Sequence, residues 1–289
     1  MKLNFKQRSS LIAIIILWLV TGLLLTYITD IVYVGFMEDI TGPGRVALIA
    51  FISLVIAVIS TACANAFDKS VKAQNEIMTE LETNGYTDRF ISLSIAETNR
   101  IISTGKVYKR YRFFSQYMRQ LADAYLMRDN LSAAVDCINH TNLSDMKTYL
   151  NESIDANAFL GYFDVQMSIS EELCEPRRAV AIMQDAEPYL KKNMGTLMGD
   201  LFSYEIYSVY HLTLGDFNRA FEYANKCLDN KNNPTFAFVG NALMAKIYAK
   251  AGMPQKALEY ITAVENLPKK TALQSQAAQY LRNKLPRTQ

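Results

Sequence analysis

The sequence predicts an all-α protein in two parts, a transmembrane helical hairpin followed by an α-solenoid of helix–turn–helix units. Hydrophobic residues and charges divide sharply along the chain, because residues 1–67 hold 43 hydrophobic residues and only 7 of the charges. From residue 68 onward apolar residues recur at helical spacing between polar breaks, and one turn pattern returns several times. The alternation that is typical of strands is absent, so no strand is predicted.

Two uncharged stretches, residues 9–29 and 46–67, predict the two membrane spans of an anchor at 1–67. At ~1.5 Å rise per residue each reaches roughly 30 Å, the thickness of the hydrocarbon core. Both are apolar on every side, whereas a surface helix shows an apolar stripe. A cleaved signal peptide is the alternative. However, the apolar stretch at residues 9–29 is longer than the apolar region of a usual signal peptide, and Ile28-Thr29-Asp30 offers no small-x-small cleavage site.

Basic residues predict the orientation of this hairpin. Three of them lie within residues 2–8, and Lys69 and Lys72 follow the second span, whereas the loop of residues 30–45 has only Arg45. Both termini should therefore face the cytoplasm, as a two-span protein of the cell membrane. The short loop and the lack of a eukaryotic sorting signal fit a bacterial inner membrane.

Small residues form a seam along the second span, which would let another helix approach closely. Packing against the first span, a homodimer, and contact with another membrane protein are all compatible with it. The spans hold no ionisable residue, which argues against a transporter. The seam consists of Ala50, Ser53, Ala57, Ser60 and Ala64.

A repeated helix–turn–helix pattern appears in the remainder of the chain. The segments YLMRDNLSAA (125–134), HLTLGDFNRA (211–220) and YAKAGMPQKA (248–257) each end one helix, turn, and begin another. EELCEPRRA (171–179) shares the turn and the closing alanine. The aligned alanines are Ala134, Ala179, Ala220 and Ala257, with spacings of 45, 41 and 37 residues.

These residues resemble the tetratricopeptide repeat (TPR), a helix–turn–helix unit of about 34 residues. The resemblance covers roughly residues 106–267. It departs from the family because every spacing exceeds the standard one, and because Met167 and Ser170 occupy the small and aromatic positions of the unit at Ala179. A generic solenoid of irregular hairpins is the alternative. Besides the four alanines, the resemblance rests on Leu121, Ala122, Tyr125, Ser208, Gly215, Ala245, Tyr248 and Gly252; Asp129 and Cys174 stand where the other two turns have glycine.

Three regions follow from these patterns. Residues 1–67 are the anchor, 68–105 a helical linker, and 106–289 the TPR-like domain. The last helix, predicted over Thr271–Lys284, should cap the final repeat with a polar outer face.

The sequence offers no catalytic motif, no metal-ligand spacing and no glycine-rich phosphate loop. The two histidines, His140 and His211, lie far apart, and His211 falls at an aromatic repeat position, which favours packing. We therefore expect a protein that is not an enzyme and has no cofactor.

One stretch, between Thr98 and Ala122, carries six basic residues and no acid, with aromatic residues interleaved. It can be read as an entry helix with solvated cations, as a surface for anionic lipid, or as a surface for an acidic protein partner. The formal net charge of only +2 argues against a nucleic-acid binder. The six are Arg100, Lys106, Lys109, Arg110, Arg112 and Arg119.

The TPR resemblance implies a scaffold or adaptor that binds a protein or peptide partner at the membrane. In this family the first helix of each unit faces the binding groove, so Arg119, Tyr204 and Asn241 are predicted partner contacts. The alternative is an accessory or regulatory subunit that docks through its transmembrane helices onto a membrane enzyme, channel or translocation complex.

Overall fold

The computed structural model describes Val55, Ile56 and Val58 together with residues 71–230, 232–268 and 271–285. Apart from those three valine and isoleucine positions, both predicted spans and the whole small-residue seam lie outside the described residues and stay predictions. Among the described residues, no helix is both long enough and apolar enough to cross a membrane.

The all-α prediction is confirmed, since the described residues contain helices and turns and no strand. A single 3-10 turn, Val107–Arg110, precedes the repeats. The helices are α1 (71–84), α2 (Asp88–Ser103), α3 (Tyr111–Leu126), α4 (Leu131–Asn139), α5 (Leu143–Tyr149), α6 (Ala156–Glu172), α7 (Pro176–Asn193), α8 (Leu197–Thr213), α9 (Phe217–Asp229), α10 (Pro234–Lys250), α11 (Pro254–Glu265) and α12 (Ala272–Lys284).

Four hairpins share one turn geometry, which makes them structural repeats. In each, one turn residue takes a positive φ, and the next N–H donates to the carbonyl five residues earlier at 2.9 Å. This closes the first helix with a left-handed residue, the common helix ending. The positive-φ residues are Asp129 (56°), Cys174 (54°), Gly215 (77°) and Gly252 (72°), and the bonds join Asn130 to Tyr125, Glu175 to Ser170, Asp216 to His211, and Met253 to Tyr248.

The aligned alanines lie where the two helices of a hairpin touch. Ala134, Ala179, Ala220 and Ala257 are fully buried. In the third hairpin the Ser208 hydroxyl, itself buried, donates to the Ala220 carbonyl at 2.9 Å. A larger side chain at these positions would push the helices apart, because protein interiors are close-packed.

The hairpins stack in two layers, as in a helical solenoid. The first helices α3, α6, α8 and α10 pack side by side, and each second helix (α4, α7, α9, α11) packs against its own first helix and the next one. The short helix α5 is inserted between the first two hairpins. This insertion explains why the first alanine spacing is the longest.

Residues ahead of the repeats join the same body. Within Ser70–Gln289, one compact unit, Ile77 and Leu81 of α1 and Phe90 of α2 lie in the hydrophobic cluster that also holds Tyr117. The segment predicted as a helical linker therefore packs as a further helical pair at the start of the stack.

The last helix, α12, contacts both ends of the stack. It packs on α10 and α11, and a capping box of Thr271 and Gln274 fixes its start. Gln276 also accepts a hydrogen bond from the Tyr86 backbone N–H at 2.8 Å. Gly85 permits this approach, because a Cβ there would lie 2.4 Å from the Gln276 side-chain oxygen. The helix thus closes the unit rather than only covering its final hairpin.

Candidate binding site in the inner cavity

The inner layer of first helices encloses a cavity of about 230 Å³, bounded on its other side by α12. Apolar side chains form much of its wall, among them Val209, Phe238 and Leu281. Tyr280 of α12 also lines it. This volume is below the roughly 300–1,000 Å³ of pockets that hold drug-sized ligands, so the cavity suits a group of side-chain size.

Four ionisable residues of the cavity wall come one from each successive first helix, and Glu172 at the end of α6 lines the cavity as well. Asp123 comes from α3, Asp164 from α6, Glu205 from α8 and Lys246 from α10. Each is 41 residues after the one before. Neighbouring first helices pack in register, so residues at this interval meet on one inner face. We call Asp123, Asp164 and Glu205 the cavity carboxylates.

Lys246 forms its ion pair with Glu171, which is not one of the cavity carboxylates. Its ammonium lies 3.0 Å from Glu171, whose side chain is 2% exposed, and Lys250 forms a second ion pair with the same carboxylate. Burial acts to raise the pKa of Glu171, but the two ammonium groups outweigh it and hold that pKa below its usual value. A buried carboxylate with two cationic partners is fully compensated.

A second network ties α12 to the cavity rim. Lys284 lies 2.8 Å from Glu172 and 2.8 Å from Asp129, and the Tyr280 hydroxyl donates to Glu172. These contacts join α12 to the end of α6, where Glu172 lies, and to the turn after α3, where Asp129 lies.

The cavity carboxylates have no such compensation. Within the described part of the chain, no Lys or Arg forms a salt bridge with any of the three. Asp164 Oδ1 is buried and has no hydrogen-bond partner. The Tyr86 hydroxyl hydrogen-bonds Asp123, which lowers its pKa in part.

Burial raises the pKa of all three cavity carboxylates. That of Asp123 rises to about 6, although Arg119 and Tyr86 oppose the shift. That of Glu205 is raised by burial and by Asp123, against the opposing charge of Lys246. That of Asp164 lies well above its usual value, through burial first and then through the charges of Glu205 and Asp123. Such perturbed groups in a cavity mark sites that bind or transform a ligand.

A metal ion is not what this arrangement holds best. Among the described residues, no three His, Cys, Asp or Glu side chains converge closely enough to ligate one. The carboxylates are instead spread along the inner face of three helices.

The predicted partner contacts lie beside the cavity rather than in its wall. Tyr204 packs edge-on against Phe236, and Asn241 donates to the Ala237 carbonyl at 2.6 Å. In both cases the next residue, Glu205 or Ala242, lines the cavity. Tyr204 and Asn241 thus lie one position away from residues of the cavity wall, and their role as partner contacts stays a prediction.

Arg119, the third predicted contact, lies over Gly161 of α6 and lines a different cavity of similar volume, about 230 Å³. Arg112 lines that second cavity too and lies 2.9 Å from Asp155. Its position between two helices gives Arg119 a packing role and also places its charge near Asp123.

The rest of the basic stretch is divided between packing and surface. Arg100 pairs with Glu97 through two hydrogen bonds, and Lys109 lies 6.0 Å from the centre of the Tyr108 ring. Lys106 is exposed and Arg110 half-buried. Three interleaved aromatic residues, Tyr111, Phe114 and Tyr117, are buried in the core.

The inner row of ionisable residues escaped the sequence analysis, although a signal for it exists. The 41-residue interval matches the spacing between Ala179 and Ala220, and it could have been extended along the first helices. The three acidic residues do not stand out in the sequence, because α3, α6 and α8 each carry other polar residues as well.

Comparisons with protein-family models, with curated proteins and with solved structures find no match for this chain. The described residues form a helical-repeat body compatible with a TPR-like solenoid.

Proposed function

We propose that this chain is a TPR-like scaffold, anchored in a membrane by residues 1–67, that binds other proteins through its helical repeats. The observation that supports this most directly is the stack of four hairpins with matching turns, whose first helices enclose a cavity. Helical-repeat proteins use the surface formed by such a layer to hold partner segments. The anchor would confine binding to the membrane, with both termini in the cytoplasm.

A domain exchange tests this function. Two chimaeras are compared with the full chain by crosslinking and capture from cells. In one, residues 70–289 are replaced by an unrelated folded domain; in the other, 1–67 are replaced by an unrelated two-span anchor. We expect partners to follow residues 70–289. Partners that follow 1–67 instead would contradict the proposal and favour the accessory subunit that docks through its transmembrane helices.

The proposed topology is testable with a native cysteine. Cys174 is exposed, whereas Cys137 is half-buried and Cys227 buried, and burial raises the pKa of these last two thiols to about 11 and about 12. A membrane-impermeant maleimide should therefore label Cys174 only after cells are permeabilised. Labelling of Cys174 in intact cells would place the repeats outside.

Two matched variants control this labelling. Cys174→Ser, made in a background carrying Cys63→Ser, should lose the signal from permeabilised cells. Glu38→Cys in the loop of residues 30–45, combined with Cys174→Ser, should be labelled in intact cells. If it is not, the two-span arrangement is wrong.

A further inference from the structure

The cavity carboxylates form no salt bridge among the described residues, and burial disfavours their charged form, which raises their pKa values. Burying a carboxylate without a partner is costly, so buried charges in proteins are normally paired or bound. Here Glu171 and Glu172 each form salt bridges, whereas Asp164 and Glu205 form none among the described residues and feel Lys246 only at longer range. The Oδ1 atom of Asp164 is buried without any hydrogen-bond partner. A cation from outside is therefore the missing member of this cluster.

Lys246 and Lys284 cannot take that place without breaking other contacts, and Arg119 acts on Asp123 and Asp164 from its position over Gly161, where it lines the second cavity. Lys246 holds Glu171 at 3.0 Å, and Lys284 bridges Glu172 and Asp129 at 2.8 Å each. Moving Lys246 toward Glu205 would leave the buried Glu171 with one partner fewer. The acidic charge is thus directed toward the cavity rather than toward a side chain of this unit.

The cavity wall adds a second requirement to positive charge. Val209, Phe238 and Leu281 make part of the wall apolar, beside the cavity carboxylates. The volume of about 230 Å³ admits a group of side-chain size. Lys and Arg combine a charged head with an apolar stem, and that stem covers apolar surface when the head is bound. A neutral apolar side chain would leave the carboxylates unpaired.

We propose that the inner cavity binds a Lys or Arg side chain of a partner peptide, with the cavity carboxylates holding its charged head and the apolar wall its stem. This inference rests on the proposed scaffold function and adds the chemistry of the partner. Charge-assisted hydrogen bonds would satisfy the unpaired Oδ1 of Asp164 and give Glu205 a salt bridge. The partner segment should carry at least one basic residue flanked by apolar ones.

Blocked pentapeptides with a central Lys, Arg, norleucine or Glu flanked by Leu test the proposal. Their dissociation constants are measured by titration calorimetry with the full chain in detergent. We expect the Lys or Arg peptide to bind at least roughly tenfold more tightly than the norleucine peptide, since hydrogen bonds to charged groups contribute on this scale. Equal affinity for the Lys, Arg and norleucine peptides would overturn the proposal.

Isosteric variants link that binding to the cavity. Glu205→Gln and Asp164→Asn should each weaken the Lys or Arg peptide roughly tenfold. Each replaces a half-buried carboxyl that forms no salt bridge by an amide of the same shape, so neither should lower the thermal midpoint, and lost binding will not reflect unfolding. Glu222→Gln, which changes an exposed carboxylate paired with Lys226, is the control and should change nothing. Binding unaffected by both cavity variants would refute the site.

Pentylamine separates a peptide from a free amine. If it binds as tightly as the Lys peptide, the assignment to a peptide partner is wrong. The proposed function stands even when this inference falls, if partners follow residues 70–289 in the chimaeras and bind the Glu205→Gln variant as tightly as the parent chain. If partners follow residues 1–67, the scaffold function itself falls.

Discussion

Replacing Cys174 by glycine should stabilise the repeat domain by about 0.5–1 kcal/mol. Cys174 has a φ of 54° in the second repeat turn, where Gly215 and Gly252 occupy the matching positions with φ of 77° and 72°. A left-handed conformation costs a residue with a Cβ about 1–2 kcal/mol. Glycine removes that strain, but it loses about 0.5–1 kcal/mol through the extra freedom of its unfolded state. The difference is the expected gain.

Cys174 is the better position for this experiment because its side chain is exposed and makes no described contact. Asp129, with φ of 56°, would gain the same relief, but its carboxylate pairs with Lys284 at 2.8 Å. Asp129→Gly should therefore change stability little. The contrast between the two positions separates backbone strain from the loss of an ion pair.

Urea and thermal unfolding of the variants measure the effect. Cys174→Gly should raise the thermal midpoint by roughly 1–4 °C for a domain of this size. Cys174→Ala keeps the Cβ and removes the thiol, so it should stay at the parental midpoint. Gly215→Ala should lower it. If Cys174→Gly and Cys174→Ala unfold alike, the strain argument is wrong.

Three further predictions concern the interior. The cavity carboxylates have raised pKa values, so folding takes up protons and the free energy of unfolding should fall as pH rises from about 4 to about 7. Glu205→Gln should reduce the difference between the free energies of unfolding at pH 5 and pH 8, measured by urea denaturation, by about 1–3 kcal/mol. Ala179→Leu should destabilise the domain by about 1–3 kcal/mol by overpacking a fully buried contact, while Ala181→Leu, exposed on the same helix, should have little effect in the same denaturation assay. Glu171→Ala should lower the free energy of unfolding by about 3–5 kcal/mol, because it leaves the Lys246 ammonium without its ion-pair partner. If the double variant Glu171→Ala/Lys246→Ala loses the same free energy of unfolding as Glu171→Ala alone, the two residues act as a pair.

Much of the repeat architecture follows from local patterns in the sequence. Gly215 and Gly252 mark two turns, and the four aligned alanines mark the contacts between helices. The unit at Ala179 matches the repeat pattern poorly in sequence, yet it keeps the same turn. Ser170 replaces the aromatic residue, yet its carbonyl still accepts from the Glu175 N–H at 2.9 Å, because the turn is made by the backbone.

The candidate site depended on information that local patterns do not carry. Helical spacing tells which side of a helix is apolar, but the rotation of each first helix within its layer is set by packing against two neighbours. That rotation places Glu205 in the cavity wall and turns Tyr204 toward Phe236. A difference of one residue corresponds to about 100° around a helix, so the sequence pattern alone could not tell which of two adjacent residues lies in the wall.

The sequence by itself determined the helical repeats, their turns, and the sharp change in composition near residue 68, because each is encoded within a few neighbouring residues. Only the tertiary structure decided that α12 returns to the start of the stack. Gln276 meets Tyr86 across 190 residues of chain. The tertiary structure also decided that three carboxylates share one cavity, since the packing of successive helices brings together residues that no local pattern connects.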